Sequence, residues 1–259
     1  MTDVAAYLDR IGVPTPERPD LPALRHLMRA HLSTVPFENL SIHLDETIDL
    51  DEEALVGKIV DRRRGGFCYE LNGGFAWLLR QLGYRVTVLG ARVYGGGTLG
   101  PPYDHMTLVV DLDEPWLVDV GFGRFLAEPV RFAVDEPQRD PAGVVTFEDV
   151  PGPDGYVDLA VVLDGERQFL VDRRPRELAE FAATCWYHQS SPASHFTQSL
   201  VCSLTTATGR VTLSHRTLTT TDGTDRREEQ LADDAAVRAA YRDLFGVELD
   251  RLPTPPTQR

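Results

Sequence analysis

The chain has 259 residues, 42% hydrophobic and 25% charged, a globular composition that excludes wholesale disorder and accommodates one large or two ordinary domains. With 26 Lys+Arg against 40 Asp+Glu the formal net charge is −14, which excludes a broad nucleic-acid surface, because that binding draws on clustered Lys and Arg. Three cysteines, Cys68, Cys185 and Cys202, are too few and too scattered for a disulfide framework or a CxxC metal site. Their odd number fits a reducing cytoplasm. The N-terminus carries no basic-then-apolar leader, and no apolar run approaches the ~20 residues of a membrane span. A soluble cytoplasmic protein is expected, with no membrane, nucleic-acid or metal partner. Lys58 is the only lysine, and the arginine bias fits a GC-rich bacterial source.

The first ~85 residues read as helical. Residues 3–11 form a short amphipathic segment stopped by Gly12, and residues 21–32 place Leu24, Leu27, Met28 and Leu32 at helical spacing. Residues 51–62 begin acidic and end basic, as the helix dipole prefers. A fourth helix starts near Cys68, carries Leu71, Phe75, Leu78, Leu79 and Leu82 on one face, and meets a stop at Gly83. From Tyr84 the period changes to two. Strands are predicted over 85–89, 91–94, 105–111, 116–120, 144–147, 156–163 and 168–171, with Pro/Gly/Asp turns between them. Short strands without intervening helices point to a small barrel or sandwich. The rest mixes both periods, with a helix over 175–187, strands over 199–206 and 211–218, a helix over 234–245 ended by Gly246, and a fraying Pro/Thr-rich tail over 253–259.

The densest chemical signal is Arg62-Arg63-Arg64-Gly65-Gly66-Phe67-Cys68-Tyr69-Glu70-Leu71-Asn72-Gly73. A cysteine at a helix start meets unpaired N–H groups and a partial positive charge, both of which favour thiolate, and the same N–H groups suit an oxyanion. A nucleophilic thiol needs a base, and the base an orienting carboxylate. His105 opens a strand, and Asp119 lies within the apolar run Trp116-Leu117-Val118-Asp119-Val120, where a carboxylate is costly to bury without a partner. Antiparallel pairing of their two strands would set Asp119 against the His105 ring. The glycine run 95–100 contains G-x-G-x-x-G, but Pro101-Pro102 follows in place of a helix, so it reads as a mobile loop leading to His105 rather than a dinucleotide site.

Four runs, in this order and spacing, resemble the signature blocks of the arylamine N-acetyltransferases. They are Val35-Pro36-Phe37-Glu38-Asn39-Leu40, the Arg63–Gly73 block, Asp104-His105-Met106-Thr107-Leu108 and Leu117-Val118-Asp119-Val120-Gly121-Phe122-Gly123, with a weaker match at Ser191–Phe196. The resemblance implies an α+β fold in three parts: a helical bundle over 1–84 with Cys68, a β-barrel over 85–174 with His105 and Asp119, and an α/β lid over 175–259. It implies a Cys68-His105-Asp119 triad like that of cysteine proteases. Acetyl-CoA would be the co-substrate and a small aromatic amine or hydrazine the acceptor, with ping-pong transfer through an acetyl-cysteine. By the same resemblance Phe37, Tyr69, Phe122 and Phe196 line the acceptor pocket, and Glu38, Arg64 and Asn72 brace the site. Gly121 and Gly123 are the best candidates for close approach to the pantetheine arm of coenzyme A. A monomer or homodimer is expected. The alternative keeps fold and triad but releases a polyketide chain from a carrier-protein thioester as a macrolactam.

Overall fold

The structure, a computed structural model, describes residues 3–134, 136–152 and 155–254. Helix α1 (Val4–Ile11) is capped by Asp3, whose carboxylate accepts from Ala5 N at 2.9 Å, and stops at Gly12 in the left-handed region (φ 70°). Helix α2 (Leu21–Thr34) takes the same kind of cap from Asp20 to Ala23 N. Strand β1 (Phe37–Glu38) and the short helix α3 (Leu40–His43) lead to α4 (Glu52–Val60), capped by Asp51, and α5 (Cys68–Gln81). The apolar faces of α1, α2, α4 and α5 meet in one core, where Tyr7, Leu24, Leu27, Ile59, Phe75 and Leu79 are fully buried. Burial on this scale, at about 25 cal/mol per Å² of apolar surface, is what holds four short helices together.

The barrel begins with β2 (Arg85–Gly95), a single strand where the alternation predicted two. Gly90 lies at the predicted break, and a Cβ there would stand 2.7 Å from the Tyr103 ring. The glycine run that followed as a loop is instead a tight hairpin to β3 (Thr98–Leu99). Gly96 and Gly97, at φ 57° and 82°, supply the two left-handed residues such a turn requires. Strands β4 (His105–Asp111), β5 (Pro115–Val118), β6 (Val130–Arg131), β7 (Gln138–Asp140), β8 (Gly143–Pro151), β9 (Val157–Leu163) and β10 (Glu166–Arg176) complete a nine-stranded antiparallel sheet. Its order is β6-β5-β4-β2-β10-β9-β8-β7, with β3 paired to β2. The end strands approach each other through side chains instead of a ladder. The Gln138 amide accepts from Arg131 N at 2.6 Å and donates to Arg131 O at 2.9 Å, so the sheet nearly closes into a barrel.

Strand β10 runs on to Arg176, past the predicted helix start at 175. The helical part is a 3-10 turn (Leu178–Phe181) followed by α6 (Ala182–Ser190). After α7 (His195–Gln198) come β11 (Val201–Thr205), β12 (Gly209–Ser214), β13 (Thr217–Asp222), β14 (Asp225–Gln230) and α8 (Asp234–Phe245). The predicted strand over 211–218 is two strands joined at His215, which takes φ 54°. The second sheet has the order β1-β11-β12-β13-β14, so a strand from the helical segment forms one of its edges. At the other edge β14 exposes every residue of Asp-Arg-Arg-Glu-Glu-Gln, and its charges oppose edge-to-edge pairing. Helix α8 packs on this sheet through Tyr241 and Phe245, beside Cys202 and Leu213. Of the tail expected to fray, Pro253 is buried and Thr254 N donates to His43 O at 2.9 Å; residues 255–259 lie outside the described residues. Among the described residues no helix is long and apolar enough to cross a membrane.

Candidate active site

Cys68 is the first residue of α5, His105 the first of β4, and Asp119 follows the last residue of β5. All three are buried, with 3%, 2% and 2% of their surface exposed. Strands β4 and β5 pair antiparallel with Leu108 opposite Val118, which carries Asp119 to the His105 end of the pair. There His105 Nε2 meets Asp119 Oδ2 at 2.6 Å. With Nε2 engaged, Nδ1 is the ring nitrogen left for a thiol. The Cys68 thiol donates to Asp104 O at 3.9 Å and is reached by the Met106 N–H, the peptide groups on either side of His105.

Asn72 holds the three elements together. It lies one helical turn beyond Cys68, on the same face of α5. Its Nδ2 donates to Met106 O at 2.6 Å and to Asp119 Oδ1 at 3.1 Å, while its Oδ1 accepts from Val120 N at 2.9 Å. The other donor to Asp119 Oδ1 is Gly121 N at 2.9 Å. Burial would raise the Asp119 carboxyl, but the His105 charge and these hydrogen bonds together hold it below its usual value.

The thiol behaves differently from what a helix N-terminus alone suggests. Burial pushes Cys68 well above its ordinary value, with the Asp119, Cys185 and Asp104 charges adding to the rise and only the Met106 amide opposing it. Desolvation outweighs the partial charge of the helix end here. A thiolate at this depth requires a cation beside it, and proton transfer to an imidazole creates thiolate and cation in one step.

Beneath the nucleophile's loop lies a buried ion network. Arg64 grips Glu38 with two bonds, Nε to Oε1 at 2.8 Å and Nη2 to Oε2 at 3.1 Å, and Glu38 Oε2 also accepts from Leu40 N. Burial raises the Glu38 carboxyl, yet the Arg64 and Lys58 charges bring it down to about 2. Lys58, the chain's single lysine, bonds Ser41 Oγ at 2.9 Å and pairs with Glu70. Glu70 in turn accepts from Phe67 N at 3.2 Å, which caps the helix that starts at Cys68. Lys58 and Glu70 were not singled out in the sequence, although Glu70 stands three residues after the N-cap, where a capping acid belongs.

The aromatic residues surround the triad unequally. Phe122 sits edge-on to His105 at 5.0 Å between centroids, and Phe37 meets Phe196 at 6.3 Å. Tyr69 lies farther in: it is fully buried, packed on Phe67 and Phe181, with its hydroxyl donating to Tyr103 O at 2.7 Å. Its hydrogen-bonding capacity is spent inside the protein. Gly123 (φ 87°) faces the Phe37 ring at 3.6 Å. Gly121 packs closely on the site, since a Cβ there would fall 2.7 Å from Cys68 Cα and from Asn72 Nδ2. Cys185 and Cys202 are buried free thiols. Among the described residues no group of three or more His, Cys, Asp and Glu could hold a metal ion.

A thiol set against the peptide groups on either side of His105, an imidazole held by a carboxylate, and an aromatic ring edge-on to that imidazole form a constellation for acyl transfer through sulfur. The family model described as N-acetyltransferase matches residues 20–253. The pineal gland arylamine N-acetyltransferase of Gallus gallus is 33% identical over 96% of this chain and 95% of its own length. The arylamine N-acetyltransferase of Mycolicibacterium smegmatis is 34% identical over 96% and 94%. The solved structure of Mycobacterium marinum arylamine N-acetyltransferase in complex with CoA is similar at a TM-score of 0.83 and 33% identity, covering 95% of this chain and 93% of that one. With its fold and nearly its whole length matched, the chain belongs to the arylamine N-acetyltransferase family.

Proposed function

We infer that the protein transfers the acetyl group of acetyl-CoA to an aromatic amine or hydrazine, in two half-reactions through acetyl-Cys68. The observation that carries this reading is the buried Cys68 thiol bracketed by the peptide groups of His105, whose ring is fixed by Asp119. In the first half, the thiol proton passes to His105 Nδ1 and sulfur attacks the thioester carbonyl. The tetrahedral intermediate collapses with loss of coenzyme A, which leaves with the proton from His105. In the second half, the amine attacks the acetyl-cysteine carbonyl, His105 takes the amine proton, and the C–S bond breaks to restore the thiol. Asp119 keeps the imidazole in one tautomer and stabilises its charged form. Thioester-to-thioester exchange is nearly isoenergetic, so a sulfur nucleophile holds the acetyl group without losing its reactivity toward nitrogen.

Phe37, Phe122 and Phe196 offer flat apolar faces for an aryl ring. Glu38, Arg64 and Asn72 act through the elements they brace, as positioning residues. The matched relatives bear arylamine N-acetyltransferase names, which favours acetyl transfer over the macrolactam-forming alternative. The test is mass spectrometry of the protein after incubation with acetyl-CoA and no amine. An acetyl group on the Cys68 peptide, discharged when an arylamine is added, is the expected result. Undiminished amine acetylation by Cys68→Ala would overturn the mechanism.

A further inference from the structure

The blocks at 35–40 and 191–196, distant in the chain, meet through two side chains that the mechanism above leaves unused. Asn39, between β1 and α3, is 1% exposed, and His43, the last residue of α3, is 7% exposed. Asn39 Nδ2 donates to Phe196 O at 2.9 Å and to Ser199 O at 2.5 Å. His43 Nε2 reaches the same two oxygens, at 3.1 and 2.9 Å. Carbonyl oxygens only accept, so the His43 ring carries a proton on Nε2 and the Asn39 amide turns its nitrogen toward them. The other end of that amide agrees, since Oδ1 accepts from Val201 N at 2.9 Å. The 3.4 Å between Nδ2 and Nε2 is then two donors converging on shared acceptors.

Phe196 needs such a hold. Helix α7 has four residues, too few to persist by its own hydrogen bonds, and its last carbonyls have no partner within it. Ser194 Oγ accepts from Phe196 N at 3.2 Å, so with Asn39 and His43 on Phe196 O the peptide groups on both sides of its Cα are fixed. The ring that leaves this Cα is half-buried, 6.3 Å from Phe37 and 5.2 Å from Phe67 between centroids. Phe67 immediately precedes the nucleophile, and Phe37 stands two residues before Asn39. One stretch, 37–43, therefore supplies one ring of the proposed acceptor wall and clasps the backbone of the other.

We propose that Asn39 and His43 are positioning residues of the second half-reaction, a clamp on Phe196 O and Ser199 O that holds the Phe196 ring at the distance from Phe37 at which the amine is received. Neither touches the reacting atoms. Without the clamp the short helix relaxes and the gap between the two rings is no longer fixed. Cys68, His105 and Asp119 keep their places, because their contacts come from α5, β4 and the end of β5. The proposal rests on the acetyltransferase reading above, and its test separates the two.

The readouts are kcat/KM for 4-chloroaniline and for acetyl-CoA, which in a ping-pong reaction report the second and the first half-reaction separately. In His43→Leu, which removes the donor, the value for the amine falls about tenfold, the worth of one aromatic contact, and that for acetyl-CoA changes by less than about twofold. Asn39→Ala shows the same pattern, and His43→Gln, which keeps an N–H, recovers part of the loss. Because the clamp acts through the Phe196 ring, His43→Leu added to Phe196→Leu costs the amine little further. A full second loss in that background overturns the proposal, as does an unchanged value for the amine in a folded clamp variant. Equal losses on amine and acetyl-CoA also overturn it, and mark a general structural role. Where one clamp variant does not fold, the other carries the comparison. A wild-type protein that gains no acetyl group on Cys68 overturns the acetyltransferase reading itself.

Discussion

Replacing Asn72 by alanine is the most informative perturbation of the site, because one side chain ties the helix of the nucleophile to both strands of the base and its carboxylate. Asn72→Ala removes the bonds to Met106 O, Asp119 Oδ1 and Val120 N, at 2.6, 3.1 and 2.9 Å. Met106 and Val120 are buried, so no water replaces what they lose. At about 1–3 kcal/mol for each buried group left unsatisfied, the two backbone groups together cost roughly 2–6 kcal/mol. Against a typical total of about 5–15 kcal/mol that is a large loss, visible as a fall of roughly 5–20 °C in Tm.

The activity should fall further than the lost stability explains. Asp119 keeps His105 on Oδ2 and Gly121 N on Oδ1 but loses the second donor to Oδ1, and the imidazole can then shift. A displacement of about 1 Å in a catalytic group costs on the order of 10²-fold. Asp119→Asn, which removes the orienting carboxylate outright, sets the ceiling at about 10⁴-fold if it parallels triad aspartates elsewhere. Asn72→Ala is expected between wild type and that limit, assayed as arylamine acetylation well below the variant's Tm. Wild-type melting would refute the energetic part of the reasoning. Reduced Tm with full turnover would refute the positioning part, since Asn72 would then only stabilise.

Two further outcomes follow from the buried charges. Lys58→Met strips the 2% exposed Glu70, whose carboxyl burial already raises, of the cation that holds it down, which should cost about 3–5 kcal/mol by chemical denaturation. The double variant Lys58→Met/Glu70→Gln should be more stable than Lys58→Met alone; if it is less stable, the pair is not coupled as described. Glu38 gives a pH dependence. Its carboxyl is held down to about 2 in the fold, so its contribution is complete above the unfolded value near 4.3 and is lost as pH falls through about 2. The Tm gap between wild type and Glu38→Gln should be constant above pH 5 and narrow steadily toward pH 2. A gap independent of pH would show that the Arg64–Glu38 contact stabilises by shape alone.

Much of the site was legible because its chemistry is locally improbable. A cysteine at the start of an amphipathic helix and a carboxylate inside an apolar strand each demand a partner, and antiparallel pairing of β4 with β5 joined His105 to Asp119 as expected. Asn72 was readable only through the family resemblance, and the structure sets it one helical turn from Cys68. The close approach of Gly121 to Cys68 Cα was not legible, because that neighbour is contributed from 53 residues away. Helix α6 was expected to begin earlier, and nothing in Trp186-Tyr187-His188-Gln189 marks the histidine as buried. Strand β14 escaped because all its residues are polar and exposed, so it has no apolar alternation. Strand β1 escaped because two residues carry no period at all.

The burial that raises the thiol also accounts for the direction of the chemistry. A solvent-exposed thiolate would ionise more easily, but its thioester would meet water at about 55 M, far above any amine. At 3% exposure an acetyl group on Cys68 would be shielded from water, and Phe37, Phe122 and Phe196, as the proposed lining of the approach, would admit an aryl ring more readily than a polar solute. The cost is a thiol that cannot lose its proton to solvent at neutral pH. His105 offsets that cost only while Asp119 keeps its charge, and Asp119 keeps it through His105, Asn72 and Gly121 together. Selectivity for nitrogen over water and dependence on a rigid triad are therefore one property: any change that opens the site to ease ionisation should raise acetyl-CoA hydrolysis at the expense of amine acetylation.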